Sequence, residues 1–82
     1  QNYPNPFNSF TTINYQLDKK SDVEINIYNF LGKYIKTLEK GYFHNGYYTI
    51  KWNAIGLPSG IYFYALYSEN KIIDVKKALL IK

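Results

Sequence analysis

The chain has no cysteine, no arginine and a single histidine, His44. Without cysteine there is no disulfide framework, no thiolate nucleophile and no cysteine-based zinc site, and the compartment stays open. Without arginine, the ten lysines that outweigh six acids to give a formal charge of +4 lack the planar fork that grips phosphates and base edges. They are scattered over strands and turns, so no nucleic-acid partner is expected. His44 lies in a Tyr- and Asn-containing loop, offers neither a Ser/His/Asp triad nor a multi-histidine metal site, and reads as a solvated loop residue. Asp18, Asp22 and Asp74 are spread over turns and strands rather than paired as a glycosidase needs them. Gly32, Gly41 and Gly46 have neither the spacing nor the following helix of a phosphate loop. The expectation is a non-enzyme with no cofactor and no metal. No apolar run approaches the roughly 18 residues that span a bilayer, so no membrane insertion is expected. The amino end lacks the basic and apolar regions of a signal peptide, so any export signal of that kind is expected upstream.

What remains is apolar and aromatic. With 82 residues the chain fits one domain, able to bury about 60% of its unfolded surface. Hydrophobic residues make up 46% and aromatics 20%, enough to pass from disorder into a packed fold. Ten Tyr and five Phe favour strands, because rings fit a pleated, half-buried surface.

The periodicity agrees. Thr11 to Leu17 alternates, with Ile13, Tyr15 and Leu17 on one side and Thr12, Asn14 and Gln16 on the other. Asp18 to Ser21 is a polar turn. Asp22 to Tyr28 sets Val23, Ile25 and Ile27 inward against Asp22, Glu24 and Asn26 outward, and the two segments read as a hairpin or as neighbours across two sheets. In 29–40, Phe30, Leu31, Ile35 and Leu38 recur at helix-like intervals, but the interior Gly32 and the short length favour a turn and a short strand. A loop is expected over 41–46, then a strand carrying Tyr48, Ile50 and Trp52, then a turn over 53–60. Ile61 to Ser68 is apolar on both faces and reads as a central strand, with Tyr62, Tyr64 and Leu66 on one side. After a tight turn at 68–71, the segment 72–81 is expected to break in two or to bulge near Lys76 and Lys77. The fold class is therefore all-β, a sandwich of about seven antiparallel strands with an Ig-like arrangement. Its expected core is Ile25, Ile27, Ile50, Trp52, Tyr64 and Leu66. Residues 1–10 read as a Pro-rich linker and lead-in segment and 11–82 as the single domain, and the whole chain is expected to be the tail of a longer polypeptide cut at that linker. Pro4 and Pro6 stiffen that linker, and Phe7 is expected to dock on the first strand.

Three separated motifs carry a resemblance. The first is Asn2-Tyr3-Pro4-Asn5-Pro6-Phe7-Asn8 followed by Thr11-Thr12-Ile13 and Tyr15; the second joins Tyr28 to Gly32 with Trp52-Asn53, Leu57, Ser59-Gly60 and Tyr62. The third is the ending Lys76-Lys77-Ala78-Leu79-Leu80-Ile81-Lys82. In order and spacing the chain resembles the C-terminal sorting domain of the type IX secretion system, found at the ends of proteins exported by Bacteroidetes and related bacteria. Ser9-Phe10 stands where that family often has a Pro, and Ala65 where a polar residue is common. The region from Trp52 to Tyr64 is similar also to an Ig-like module of flagellar hook-capping proteins, but the opening motif and terminal lysine favour the sorting domain. The resemblance implies a signal that directs an upstream passenger in the same chain to the cell surface or the medium, after transit through the periplasm. Its implied partners are the outer-membrane machinery of that system and a sortase.

Two binding surfaces follow. The final strand, Lys76, Lys77, Leu79, Leu80, Ile81 and Lys82, is the expected recognition element, with either Leu79 and Ile81 or Ala78 and Leu80 facing the machinery, since one alternating set can do so. Against this stands closure of the sandwich by the same strand. The alternative function is a carbohydrate-binding or structural accessory module, with Tyr47, Phe63 and Tyr67 as stacking platforms, or, more blandly, as core rings. Lys76, Lys77 and Lys82 also suit an anionic partner or the guarding of an edge strand.

Overall fold

The computed structural model describes the backbone of Asn2–Tyr3 and residues 9–81. The strands are β1 (Asn2–Tyr3), β2 (Phe10–Leu17), β3 (Ser21–Asn29), β4 (Tyr34–Phe43), β5 (Gly46–Asn53), β6 (Gly60–Ser68) and β7 (Lys71–Leu80). Every pairing is antiparallel; one sheet has the order β1-β2-β5 and the other β4-β3-β6-β7. The all-β sandwich of about seven strands read from the sequence is the one observed. β2 and β3 lie in opposite sheets, so they are neighbours across the core and not a hairpin. The linker residues Pro4, Pro6 and Phe7 lie outside the described residues.

Alternation fixes the inner faces. One cluster holds Ile13, Ile27, Trp52, Ala54, Tyr62, Tyr64, Ala78 and Leu80; the other holds Leu17, Val23, Ile25 and Leu66, and Leu38 and Ile50 pack against both. Of the six expected core residues, Ile50 alone is half-buried, because it bridges the clusters near the sandwich edge. Trp52 is fully buried and meets the Tyr62 ring edge-on at 5.9 Å. Each such side chain contributes about 1.5–3 kcal/mol by leaving water.

The segment after β3 differs from expectation. The turn is confined to 30–33, and β4 is a ten-residue strand that runs through Phe43, leaving His44 and Asn45 as the loop. The helix-like spacing of Ile35 and Leu38 has a β-sheet cause. Along β3 the pairing jumps from Glu39 to Thr37 and from Lys36 to Tyr34, so Leu38 and Ile35 are the extra residues of two bulges. A bulge resets the alternation by one, and both side chains reach the core although they are three apart. β7 carries one bulge as well, at Ile73 rather than at the lysines, since Tyr67 pairs with Ile72 and Leu66 with Asp74.

Turn chemistry holds the strands in register. Asn29 Oδ1 accepts from the amides of Leu31 and Lys33, while Gly32 sits at a φ of 82° that a side chain would strain. Two tyrosines anchor the loops before their strands: the Tyr48 hydroxyl donates to the His44 carbonyl and the Tyr62 hydroxyl to the Pro58 carbonyl, both at 2.7 Å. The second resembles the tyrosine corner of Ig sandwiches. β6 and β7 are joined by Glu69 and Asn70, both at positive φ (52° and 66°), the geometry of a two-residue type I′ turn.

Candidate functional site

β7 is the outer strand of the four-stranded sheet, paired with β6 along one side. Its burial is uneven: Lys71 to Lys77 are exposed on both faces, whereas Ala78 and Leu80 are fully buried. The inward positions of the exposed half carry charge instead. Asp74 pairs with Leu66 and Lys76 with Tyr64, and their side chains approach to 3.9 Å at the rim of a narrow cleft between the sheets. Inward charge on an outer strand discourages edge-to-edge aggregation.

The C-terminal residues divide by face. Leu79, 38% exposed, lies outward opposite Ile61, and Ile81 is 50% exposed, whereas Ala78 and Leu80 are enclosed by the core. Ala78 and Leu80 therefore help close the sandwich. Lys76 and Lys77 point to opposite faces, Lys77 lying opposite Phe63, so the two form no single basic patch. Lys82 lies outside the described residues.

Sequence reasoning missed two residues here. Phe30 and Leu31, 66% and 85% exposed, flank a shallow cleft with Gly60 and Ile61, next to the Ile61–Leu79 pair. The sequence reading placed them in the turn after β3, between Asn29 and Gly32, but gave no sign that both side chains are exposed there.

The aromatic candidates do not converge. Tyr47 is 83% exposed on the outer face of the three-stranded sheet, while Phe63 and Tyr67 are half-buried on the outer face of the other. A single sugar chain cannot stack on all three, because β5 and β6 belong to opposite sheets. Tyr67 is also engaged. Its hydroxyl meets that of Tyr28 at 2.6 Å, and this bond, followed by burial, holds its pKa above the usual tyrosine value. Asn26, expected to face solvent, is on the outer face but buried, donating to Glu24 at 2.8 Å and accepting from the Thr37 hydroxyl at 2.7 Å. The outer face of this sheet is thus a bonded polar layer beside one made by Ile61, Phe63, Val75 and Leu79 around Lys77.

Among the described residues no three His, Cys, Asp or Glu side chains lie close enough to hold a metal. Asp18, Asp22 and Asp74 sit on a turn, on β3 and on β7, and His44 is exposed in its loop.

Compared with known proteins, residues 1–82 match a family model described as the secretion system C-terminal sorting domain. No curated protein and no solved structure matches the chain.

Proposed function

The chain belongs to the family of secretion system C-terminal sorting domains, and from that membership we propose that the export machinery reads the outward face of β7 near its C-terminal end. As a member, the domain is a sorting signal for type IX secretion, a non-catalytic tail that sends a passenger to the cell surface or the medium. The observation that carries the finer reading is the split at the end of β7: Ala78 and Leu80 hold the strand to the core, while Leu79 and, just past the strand, Ile81 are partly exposed. An outer strand recruits a partner by main-chain pairing, and alternate side chains supply selectivity. The proposed partners are the outer-membrane machinery, met from the periplasm, and a sortase that acts on the exported chain. The purified domain itself turns over no substrate.

The test fuses the domain to a reporter in a bacterium possessing this system and makes Leu79→Ser and Ile81→Ser together. Both side chains are already partly in water, so folding loses about 1 kcal/mol or less. Export is expected to collapse while the purified variant keeps its cooperative unfolding. Normal export from a folded variant overturns the assignment.

A further inference from the structure

β2 is paired along its whole length on one side only. Toward β5 every residue from Phe10 to Leu17 has a partner, whereas toward β1 the pairing among the described residues covers Thr12 and Ile13. β1 sets Tyr3 opposite Thr12 and Asn2 opposite Ile13, so moving up the chain toward its amino side leads along β2 toward Leu17. Continued one for one, this register brings the three residues that precede Gln1 opposite Tyr15, Gln16 and Leu17. That stretch of β2 overlooks the inter-sheet cleft whose lining includes Tyr15, Ile25, Leu66, Asp74 and Lys76.

An unsatisfied strand edge is a template for another strand. A segment tethered in register beside it has an effective concentration far above that of any separate chain, so it is the favoured occupant. We propose that the linker arriving from the passenger continues β1 as an antiparallel strand against Tyr15, Gln16 and Leu17, completing the edge of the three-stranded sheet. The proposal rests on a passenger preceding the domain. Cross-strand partners share a face, so the linker residues opposite Tyr15 and Leu17 turn inward beside Asp74 and Lys76, and the one opposite Gln16 turns to solvent. The passenger then leaves where Leu17 lies near Ser68 and Ile73, the end opposite that at which Leu80 pairs with Gly60. Cargo and C-terminal strand end are kept apart by the length of the sandwich.

The experiment compares the 82-residue chain with the same chain preceded by its natural upstream linker. Amide hydrogen exchange read by NMR is expected to slow about tenfold, in the longer chain, at whichever of Tyr15, Gln16 and Leu17 point away from β5. Register is tested by cross-linking, which the absence of native cysteine makes clean. Gln16→Cys is paired with a cysteine at each linker position in turn. Directly opposed Cβ atoms lie about 4.5–5.5 Å apart, close to disulfide reach, so the second residue before Gln1 is expected to cross-link fastest. Equal exchange in both chains, or cross-linking without positional preference, overturns the proposal. So does protection that appears in both chains and grows with concentration, since that is a second copy on the edge. Export assays read β7, and this experiment reads β2, so failure of one leaves the other standing.

Discussion

Leu80→Ala is the substitution that separates folding from recognition most cleanly. Leu80 is fully buried among Ile13, Ile27, Trp52, Tyr62 and Tyr64, at the point where the end of β7 enters the core. Truncating a buried leucine costs about 2–5 kcal/mol, from lost transfer and the cavity left behind. A domain of this length has a total stability of about 4–12 kcal/mol, at roughly 0.05–0.15 per residue. A loss of about 3 kcal/mol is therefore a large share, and at about 4–8 °C per kcal/mol for this size it lowers the melting temperature by about 12–24 °C. Its neighbour Leu79 is 38% exposed, and Leu79→Ser should cost about 1 kcal/mol or less. Urea denaturation followed by fluorescence reads both, because Trp52 is the single tryptophan and sits in the same cluster as Leu80. Comparable losses for the two variants, or a larger one for Leu79→Ser, would refute the division of β7 into an anchoring and a presented set.

Other outcomes follow from the same geometry. The Tyr15 pKa is pushed up to about 12 by burial, then by Glu39 and Tyr48; its folded value lies above the unfolded one, so the associated stability is whole below pH 10 and drains away between pH 10 and 12. Tyr15→Phe should flatten that alkaline loss in denaturation curves recorded across this range, and an unchanged slope would contradict it. Replacing Glu69 and Asn70 by Asn and Gly relieves side chains held at positive φ and should raise stability by about 1 kcal/mol, visible as a higher urea midpoint. Lys76→Val removes an inward charge from the outer strand and should promote concentration-dependent association in sedimentation, with no change if that charge has no guarding role. Phe30→Ser with Leu31→Ser leaves the core intact and should lower reporter export if the exposed turn beside Leu79 is part of the surface that is read; full export would confine recognition to β7.

Legibility in the sequence tracked regular alternation. β2, β3 and β5 were readable because each keeps period two, and β6 because it is apolar on both faces, with turns framed by Gly, Asn and Ser. In β4 two bulges bring Ile35 and Leu38 to one face at a spacing of three, which imitates a helix. Gly32 and the short length still pointed to a turn and a strand, but the strand's full length and its bulges left no mark in the composition. The same limit applied to Asn26: alternation put it on the outer face, but its burial depends on Thr37, Glu24 and Tyr28 converging from two strands. For the candidate site, alternation in the final strand left two sets of side chains open, and which set packs into the core became legible only once Ala78 and Leu80 were seen to join the main cluster.

The motif residues that carried the family resemblance turn out to be mostly fold-making. Asn29 and Gly32 shape one turn, Asn53 Oδ1 accepts from the Ile55 amide in another, Trp52 fills the core, and Tyr62 pins the Pro58 loop. Residues of this kind specify a shape rather than a contact, and here they build a small sandwich that holds β7 in a fixed place. Selectivity then needs few side chains, because main-chain groups along an outer strand are the same whatever the sequence. It also explains why β7 tolerates exposed apolar residues that would otherwise invite aggregation. Ile72, Ile73 and Val75 are about half exposed, yet the bulge at Ile73 and the inward Asp74 and Lys76 keep this half of the strand a poor template for self-pairing. Toward Leu79, β7 carries neither bulge nor inward charge.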